Sequence, residues 1–576
     1  MSGDAVDARD ASTSHPSNGR QLLSRQLREF IVDRTGGESG AGAGTSGSVG
    51  KLADALQPRF KLSAGRPAAV RHVWLDTFDW RLHRTGVTLE YSIRSGSYQL
   101  SLVTREGVRT AAVPRLTLPA LAEQLPAGPV RDLLAPITGI RALLPVVSTV
   151  GTRRELRVLD QERKTIAYLT VDETTVPEMD ATAPSPRLAI VAVRGYEAQA
   201  DRIERLIAGL PGVAAANGSA FRAALAAAGL DAGSYTSQVG VQLVSSMAAG
   251  PALASVLLRL LDMAEANVDG VIRDVDTEFL HDLRVAVRRT RAALKLAGDA
   301  LPGGLAARFA PEFRWLGQLT TPTRDLDVHL LGFDRAAADL VTAAAADLEP
   351  LHACLVRYRA AERRRLVRGL RSARFTCLTH DWRAALSEVR AAEGEATRRP
   401  PQAAHEAHKA HRAHTPQAAH MAHAAQVPIA ELAAARTRRA YARLVRTGSA
   451  VTPASNEDQL HLVRKRGKEL RYVLEFFATL HEPAVHQSAV SELKQLQDCL
   501  GDIQDGHVQR EAIRALAERM MAENAVPAAT LLAMGELAAQ LDATANHARG
   551  DFARRFAQFT SPRNTRRIAL LAEAAA

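Results

Sequence analysis

Two textures divide the chain. Between about residues 70 and 105, VRHVWLDTF and VTLEYSIRSGSYQLSLVT place β-branched and aromatic residues in partial alternation around an SGS turn, the mark of strands with one buried face. LRVLD, TIAYLTVDE and RLAIVAVRG carry the same texture to about residue 195. DRIERLIAGL then reads as a helix, and the Gly/Ala/Ser-rich stretch 211–237 as a linker. Beyond about residue 238 the apolar period becomes helical, with long Ala-, Leu- and Arg-rich segments such as ASVLLRLLDMAEANVDGVIR, FLHDLRVAVRRTRAALKLAG and LVRKRGKELRYVLEFFATL. The pattern predicts a β-rich N-terminal domain followed by an all-α C-terminal domain.

The sharpest feature of the helical half is a repeat. HDLRVAVRRTR from His281 and HLVRKRGKELR from His461 share the spacing H-x2-R-x3-[RK]-x2-R. It selects His281, Arg284, Arg288 and Arg291 in one copy, and His461, Arg464, Lys468 and Arg471 in the other. At about 100° per residue the four side chains fall in one stripe about 80° wide. Leu280, Leu283, Val287 and Leu294 fall beside it, so the basic stripe lies on the shoulder of the core-facing side. An ordinary amphipathic helix places its charges opposite the core. Like charges at helical neighbour spacing repel, so an anionic group is expected to compensate them. Arg289 and Lys465 adjoin the stripes and join the candidate set, with Tyr472 beside them in a supporting role.

An acidic segment follows each basic helix: RDLDVHL from Arg324, and LQDCLGDIQD, which ends at Asp505. The half therefore reads as a duplicated unit of basic helix, connection and Asp-bearing helix start. Arg324, Asp325, Asp327 and Asp505 are expected in supporting roles, with the carboxylates capping helices or orienting arginines. Two more basic clusters, RYRAAERRRLVRGLRSAR at 357–374 and RTRRAYARLVR at 436–446, reinforce the basic character. Arginine suits bidentate phosphate recognition. Few aromatics are interleaved, so the stacking used to grip single-stranded nucleic acid is poorly supplied. The ligand implied is phosphate-rich and needs no bases, which makes nucleic acid the weaker reading.

Composition sharpens this picture modestly. The 576 residues carry a net charge of +11, from 73 basic and 62 acidic side chains. The excess is shared, with 28 basic against 24 acidic residues in 1–240 and 45 against 38 beyond, so local clustering informs more than domain charge. Cys354, Cys377 and Cys499 are too few and scattered for a disulfide framework or zinc site, and read as inert thiols of a reducing cytosol. The polar, acidic start MSGDAVDARDASTS has no targeting pattern, and no run of about 20 apolar residues exists. The expectation is a cytoplasmic protein with no membrane partner. Histidines 405, 408, 411, 414, 420 and 423 in an Ala-His repeat could bind a metal, yet the segment reads as a solvated low-complexity insert at 395–428. No metal ligand, cofactor or catalytic residue is assigned.

HDLRVAVRRTRAALK, TRDLDV, HLVRKRGKELRYVLEF and LQDCLGDIQD, in this order, resemble the CHAD domain, the conserved-histidine α-helical domain. The resemblance spans about 238–560 and implies a pseudo-two-fold bundle of long helices with a basic central cavity that binds inorganic polyphosphate. Thr320-Thr321 stand where that family usually has Leu-Gly, in what is expected to be a turn. The N-terminal half, about 21–210, is similar to the CYTH domain through VWLDTFDWRLHRTGVTLEYSIR, with its Asp76-Thr77 pair. That implies a tunnel-shaped antiparallel β-barrel of triphosphate-processing enzymes. Its E-x-E-x-K strand is missing: LREFIVDR offers Glu29 alone, and LAIVAVRG has Ala and Val where acids would stand. Asp172, Glu173 and Glu197 remain, without paired partners to hold a divalent cation. The barrel is expected to be degenerate and non-catalytic. The alternative is a metal-dependent inorganic triphosphatase whose tunnel Arg81, Arg94, Arg153, Arg154 and Lys164 line. Residues 1–20 and 561–576 are expected to be tails, and polyphosphate granules a destination within the cytoplasm.

Overall fold

The computed structural model describes residues 28–32, 50, 52–177, 184–396, 425–523 and 526–573. The tail 1–20 and the histidines of the insert lie outside these residues. The chain divides into two units, 1–235 and 236–576.

The first unit is built on a ten-stranded antiparallel sheet: β1 (Arg28–Val32), β2 (Lys61–Ala64), β3 (Ala68–Thr77), β4 (Thr88–Arg94), β5 (Ser97–Thr104), β6 (Gly107–Ala112), β7 (Leu143–Leu159), β8 (Thr165–Thr175), β9 (Arg187–Ala192) and β10 (Val213–Ala215). The order is β10-β1-β9-β8-β7-β3-β4-β5-β6, with β2 also paired to β7. Among the described residues the end strands β10 and β6 do not pair, so the expected barrel is not closed by hydrogen bonds. Short helices α1 (Arg81–Arg84), α2 (Pro129–Thr138), α3 (Glu197–Ala208) and α4 (Ala220–Ala227) complete the unit.

Alternation gives the sheet two chemically distinct faces. Phe30, Leu156, Val158, Leu169, Val171, Leu188 and Ile190 build one core with Ile203 and Ile207 of α3. Val73, Leu75, Leu89, Tyr91, Leu100 and Leu102 build another with Val130 and Leu134 of α2. The intervening positions are largely polar, and cross-strand partners in register share a face. His72 is flanked by Ser92 and Thr149, and Arg153 faces Asp172. The stretch 211–237 is not a bare linker. Val213–Ala215 pairs with β1, and Phe221, Ala224 and Leu225 of α4 pack on Trp74 and Val147.

The second unit is helical: α5 (Ala249–Arg273), α6 (Thr277–Ala297), α7 (Leu305–Leu331), α8 (Phe333–Ala338), α9 (Glu349–Leu370), α10 (Ala373–Ala396), α11 (Ile429–Ser449), α12 (Glu457–Phe476), α13 (Pro483–Ala522), α14 (Ala528–Phe559) and α15 (Pro562–Leu571). Ile568 and Leu571 of α15 are 1% and 2% exposed, so the C-terminal stretch is a docked helix rather than the expected tail. Gly270 of α5 permits a close crossing: a Cβ there would lie 2.2 Å from the Phe279 ring of α6.

Candidate functional site

The two basic stripes lie on α6 and α12. Asp276 caps α6 by accepting from Glu278 N and Phe279 N, and Asn456 caps α12 in a reciprocal capping box with Gln459. Leu280, Leu283, Val287 and Leu294 are buried on α6, as are Leu460, Val463, Leu470 and Val473 on α12. The shoulder placement of the stripes thus follows from which side chains the core takes.

The helices α6 and α12 touch, and one carboxylate fastens them. Glu475 of α12 accepts from Arg289 Nε of α6 at 3.0 Å and from Arg471 Nε at 2.6 Å. Arg289 also donates to the Ser237 carbonyl, and Arg471 to Gln497 Oε1. These two arginines are therefore held by their own protein. Arg464 is held too, by the carbonyls of Leu500 and Gly501 and by Asp505 Oδ1 at 3.0 Å.

Arg288, Arg291, Lys465 and Lys468 differ from these. Among the described residues none of them makes a hydrogen bond or ion pair. Arg288 and Lys468 occupy equivalent positions, seven residues after His281 and His461. Lys468 is half-buried, and its amine is pushed down to about 8, first by burial and then by the positive charges of Arg464 and Arg288, against the pull of Asp505. Arg288 on one copy thus acts on Lys468 of the other. The Tyr472 hydroxyl is raised by burial, opposed by Arg288, Arg289 and Arg471.

Arg284 donates to Thr321 Oγ1 at 2.7 Å, to Thr320 Oγ1 at 3.2 Å and to the Gly317 carbonyl at 3.5 Å. Burial lowers its pKa, Asp325 opposes, and Arg288 and Arg324 reinforce the shift. The Arg291 guanidinium approaches the same place, since a Cβ on Gly317 would lie 3.1 Å from it. Thr320-Thr321 do not form a turn, contrary to expectation. They sit inside α7, which runs through Pro322. Proline lacks an N–H and interrupts the helix ladder, and both threonine hydroxyls donate to the carbonyl of Gly317 in the preceding turn.

The acidic segments likewise lie within α7 and α13, not at helix starts, so Asp325, Asp327 and Asp505 cap nothing. Asp325 is raised by desolvation against the pull of Arg284 and Arg324. Asp327 is 1% exposed and accepts from Arg359 Nε of α9 at 2.5 Å. Arg324 donates to the Thr277 carbonyl and lies 4.0 Å from Glu278. His461 Nδ1 is 2.5 Å from Gln504 Oε1. His281 stands at the equivalent place on α6 and is also engaged.

Much of the 357–374 cluster turns out to be scaffold. Arg357 pairs with Glu523, Arg359 with Asp274 and Asp327, Arg363 with Asp274, and Arg374 with Glu312 while covering the Trp315 ring. Within 436–446, Arg443 pairs with Glu469 and Arg438 donates to the Ala572 carbonyl. Glu475, Gln504 and Arg359 were missed in the sequence. Glu475 could have been found, since it stands four residues after Arg471, where helical neighbours meet. The Arg359 contact joins separate helices, and no local pattern announces it.

In the sheet unit, acids and bases of the polar face neutralise one another. Arg153 forms a two-pronged pair with Asp172 at 2.5 and 2.6 Å, His72 Nδ1 lies 2.5 Å from Glu90, and Arg187 pairs with Glu29. Asp76 is 2% exposed and accepts from the backbone N–H of Thr77, Leu82 and His83, so the Asp76-Thr77 pair organises α1. Arg81 is held by Asp79 and the Thr138 carbonyl, and Lys164 projects at an exposed turn beside Glu162. Of the five cations expected to line a tunnel, Arg81, Arg153 and Lys164 are therefore held by partners of their own. Among the described residues no group of three or more His, Cys, Asp or Glu side chains could hold a metal ion. No helix among them is long and apolar enough to cross a membrane. Cys354 and Cys499 are buried and Cys377 is exposed.

No curated protein matches the chain. Among solved structures, the CHAD domain of the plant Ricinus communis is 24% identical, with a TM-score of 0.41 over 55% of this chain and 96% of the plant domain. PptA from Streptomyces chartreusis is 18% identical, with a TM-score of 0.37 over 54% of this chain and 99% of its own. The Hippeastrum protein HpAC1, which has a dominant triphosphatase activity, is 15% identical, with a TM-score of 0.25 over 35% of this chain and 95% of its own. The CHAD domain family itself matches residues 255–514, a span that holds both basic helices and both acidic segments. The helical unit of this protein carries a CHAD domain.

Proposed function

We propose that α6 and α12 bind inorganic polyphosphate non-covalently. The observation that carries this reading is the pair Arg288 and Lys468: one from each copy, within each other's field, with no carboxylate bonded to either among the described residues. Arg284, Arg291 and Lys465 extend the surface, while Glu475 spends its charge on Arg289 and Arg471. A polymer of phosphates supplies the missing anions without needing base recognition, and charge-assisted hydrogen bonds are the strong ones. Arg464 and the histidines then serve by shaping the surface as much as by touching ligand.

Titration with long-chain polyphosphate tests this. By analogy with counterion release from nucleic acid, about four phosphate contacts give about a 100-fold loss of affinity between 50 and 200 mM salt. Absence of binding at low salt overturns the reading. DNA serves as competitor: polyphosphate is expected to displace it far more readily than the reverse. On the same reading the protein joins polyphosphate granules, and a fluorescent fusion is expected to form puncta in cells that accumulate polyphosphate.

Lys468 gives the binding a pH signature. A polyanion favours the charged amine, so binding near pH 8 to 9 takes up a proton, and affinity falls as pH rises through 8. Calorimetry in buffers of different ionisation enthalpy measures that uptake. For the free protein the sign is opposite to that of a favourable ion pair. Between about 8 and 10.5 the unfolded chain holds the extra proton, so this group makes stability rise with pH.

The sheet unit, on this proposal, is non-catalytic. Its polar face holds Glu29, Glu90 and Asp172 in pairs with Arg187, His72 and Arg153, which leaves these carboxylates committed. An inorganic triphosphatase assay with Mg²⁺ or Mn²⁺ is expected to show no turnover. Hydrolysis would restore the alternative of a metal-dependent site on that face.

A further inference from the structure

Counted from His281 and His461, the two copies differ behind their basic stripes. Four residues before each histidine stand Thr277 and Glu457, 42 after each stand Thr323 and Ile503, and 46 after each stand Asp327 and His507. In the second copy these positions close on one another directly. His507 Nδ1 lies 2.8 Å from Glu457 Oε2, and Ile503 is buried. In the first copy the shorter side chains of Asp327 and Thr277 do not bond to each other. Thr277, Thr323 and Asp327 instead line a cavity between α6, α7 and α9 with about 10 Å³ of room for a water centre. Asp327 spends Oδ1 on Arg359. Its Oδ2, and the Oγ1 atoms of Thr277 and Thr323, are shielded from solvent and have no hydrogen-bond partner among the described residues.

A buried donor or acceptor left unpaired is costly, and three gathered at one cavity point to a ligand that satisfies them together. We propose that this cavity is the binding site of one structural water molecule. The water donates to Asp327 Oδ2 and to one of the two threonine hydroxyls, and it accepts from the other. A buried water needs about 10–15 Å³ for its centre and roughly two to four polar partners, and the cavity supplies both. The surrounding charge selects a neutral occupant. Arg359 pairs with Asp327 and Asp274, and Arg363 pairs with Asp274, so the ions around the cavity neutralise one another and favour neither a metal cation nor an anion. The water ties the first turn of α6 to α7 and, through Asp327, to Arg359 of α9. It thereby fixes the base from which the first basic stripe rises. Glu457 and His507 make that connection between α12 and α13 unaided.

The sign of a stability change tests the site in the full-length protein. Thr323→Val keeps the shape of the side chain and exchanges the hydroxyl for a methyl group. In a dry cavity this removes an unpaired hydroxyl and stabilises the fold, whereas with water bound it removes a partner and destabilises it. Urea unfolding at pH 7 is expected to show about a fivefold fall in the folding equilibrium constant. An unchanged or raised constant overturns the proposal. Thr277→Val is expected to act in the same direction. The double variant is expected to lose less than the product of the two single losses, because both hydroxyls share one water. Losses that simply multiply overturn that sharing. A high-resolution crystal structure supplies the direct readout: one ordered peak within about 2.6–3.2 Å of all three oxygens. A cavity without such a peak overturns the water. Crystals soaked in thallium(I) are expected to show no anomalous signal there, and a signal would replace the water with a monovalent cation.

Discussion

Replacing both Arg288 and Lys468 by glutamine is expected to lower polyphosphate affinity about 100-fold without lowering the melting temperature. Neither side chain makes a hydrogen bond or ion pair among the described residues, so the substitutions remove no internal partner. They remove a repulsion, which Lys468 registers as a pKa depressed to about 8. Each lost contact contributes about 1.5 kcal/mol even at the low end for a hydrogen bond to a charged group, and the pair corresponds to somewhat over 100-fold. Calorimetric titration at fixed salt measures the first effect and differential scanning calorimetry the second. The salt dependence should also become shallower by about two phosphate contacts. Wild-type affinity in this variant would sink the proposed site. Arg289→Gln makes the contrasting control. It strips Glu475 of one of its two arginines and Ser237 of a donor, so its main effect is expected on stability.

The largest stability loss is expected away from the stripes, at Arg359→Met. Asp327 is 1% exposed, and Arg359 joins it to Asp274 across α7, α9 and the end of α5. Removing the guanidinium leaves a buried carboxylate without its cation, which costs about 3 kcal/mol or more. The Asp327 carboxyl then protonates at higher pH, because burial already raises it and Arg359, ahead of Arg324, is the main group that opposes the rise. Urea unfolding at pH 7 measures the loss, and lowering the pH to 5 is expected to recover part of it. Asp327→Asn in the same chain should cancel much of the cost, giving a non-additive cycle. Simple addition of the two single effects would show that the ion pair is not the coupling element.

The sheet unit shows how local rules can be read correctly while their purpose is not. Alternation in VRHVWLDTF and TIAYLTVDE located β3 and β8, because a strand with one buried face must repeat every two residues. Closure of the sheet was beyond that reach. It depends on whether the distant end strands β6 and β10 pair, and among the described residues they do not. Asp76-Thr77 could be seen as a motif, but only the fold makes it the anchor of three backbone N–H groups.

In the helical unit, residue spacing was enough to show that two helices carry equivalent basic stripes beside their apolar faces. A 3.6-residue period converts spacing directly into direction, and buried Leu283, Val287, Val463 and Leu470 agree with it. Spacing could not tell a free cation from a committed one. Arg288 and Arg289 are neighbours of one type, yet Glu475 from another helix claims Arg289 and leaves Arg288 without a bonded partner. Asp327 likewise gains its arginine from α9, and Thr320-Thr321 continue a helix because their hydroxyls and Arg284 engage the turn before Pro322. Charge and direction belong to each residue and its period along the chain. Which charges are already spent belongs to contacts between segments far apart in sequence, and only the tertiary structure decides those.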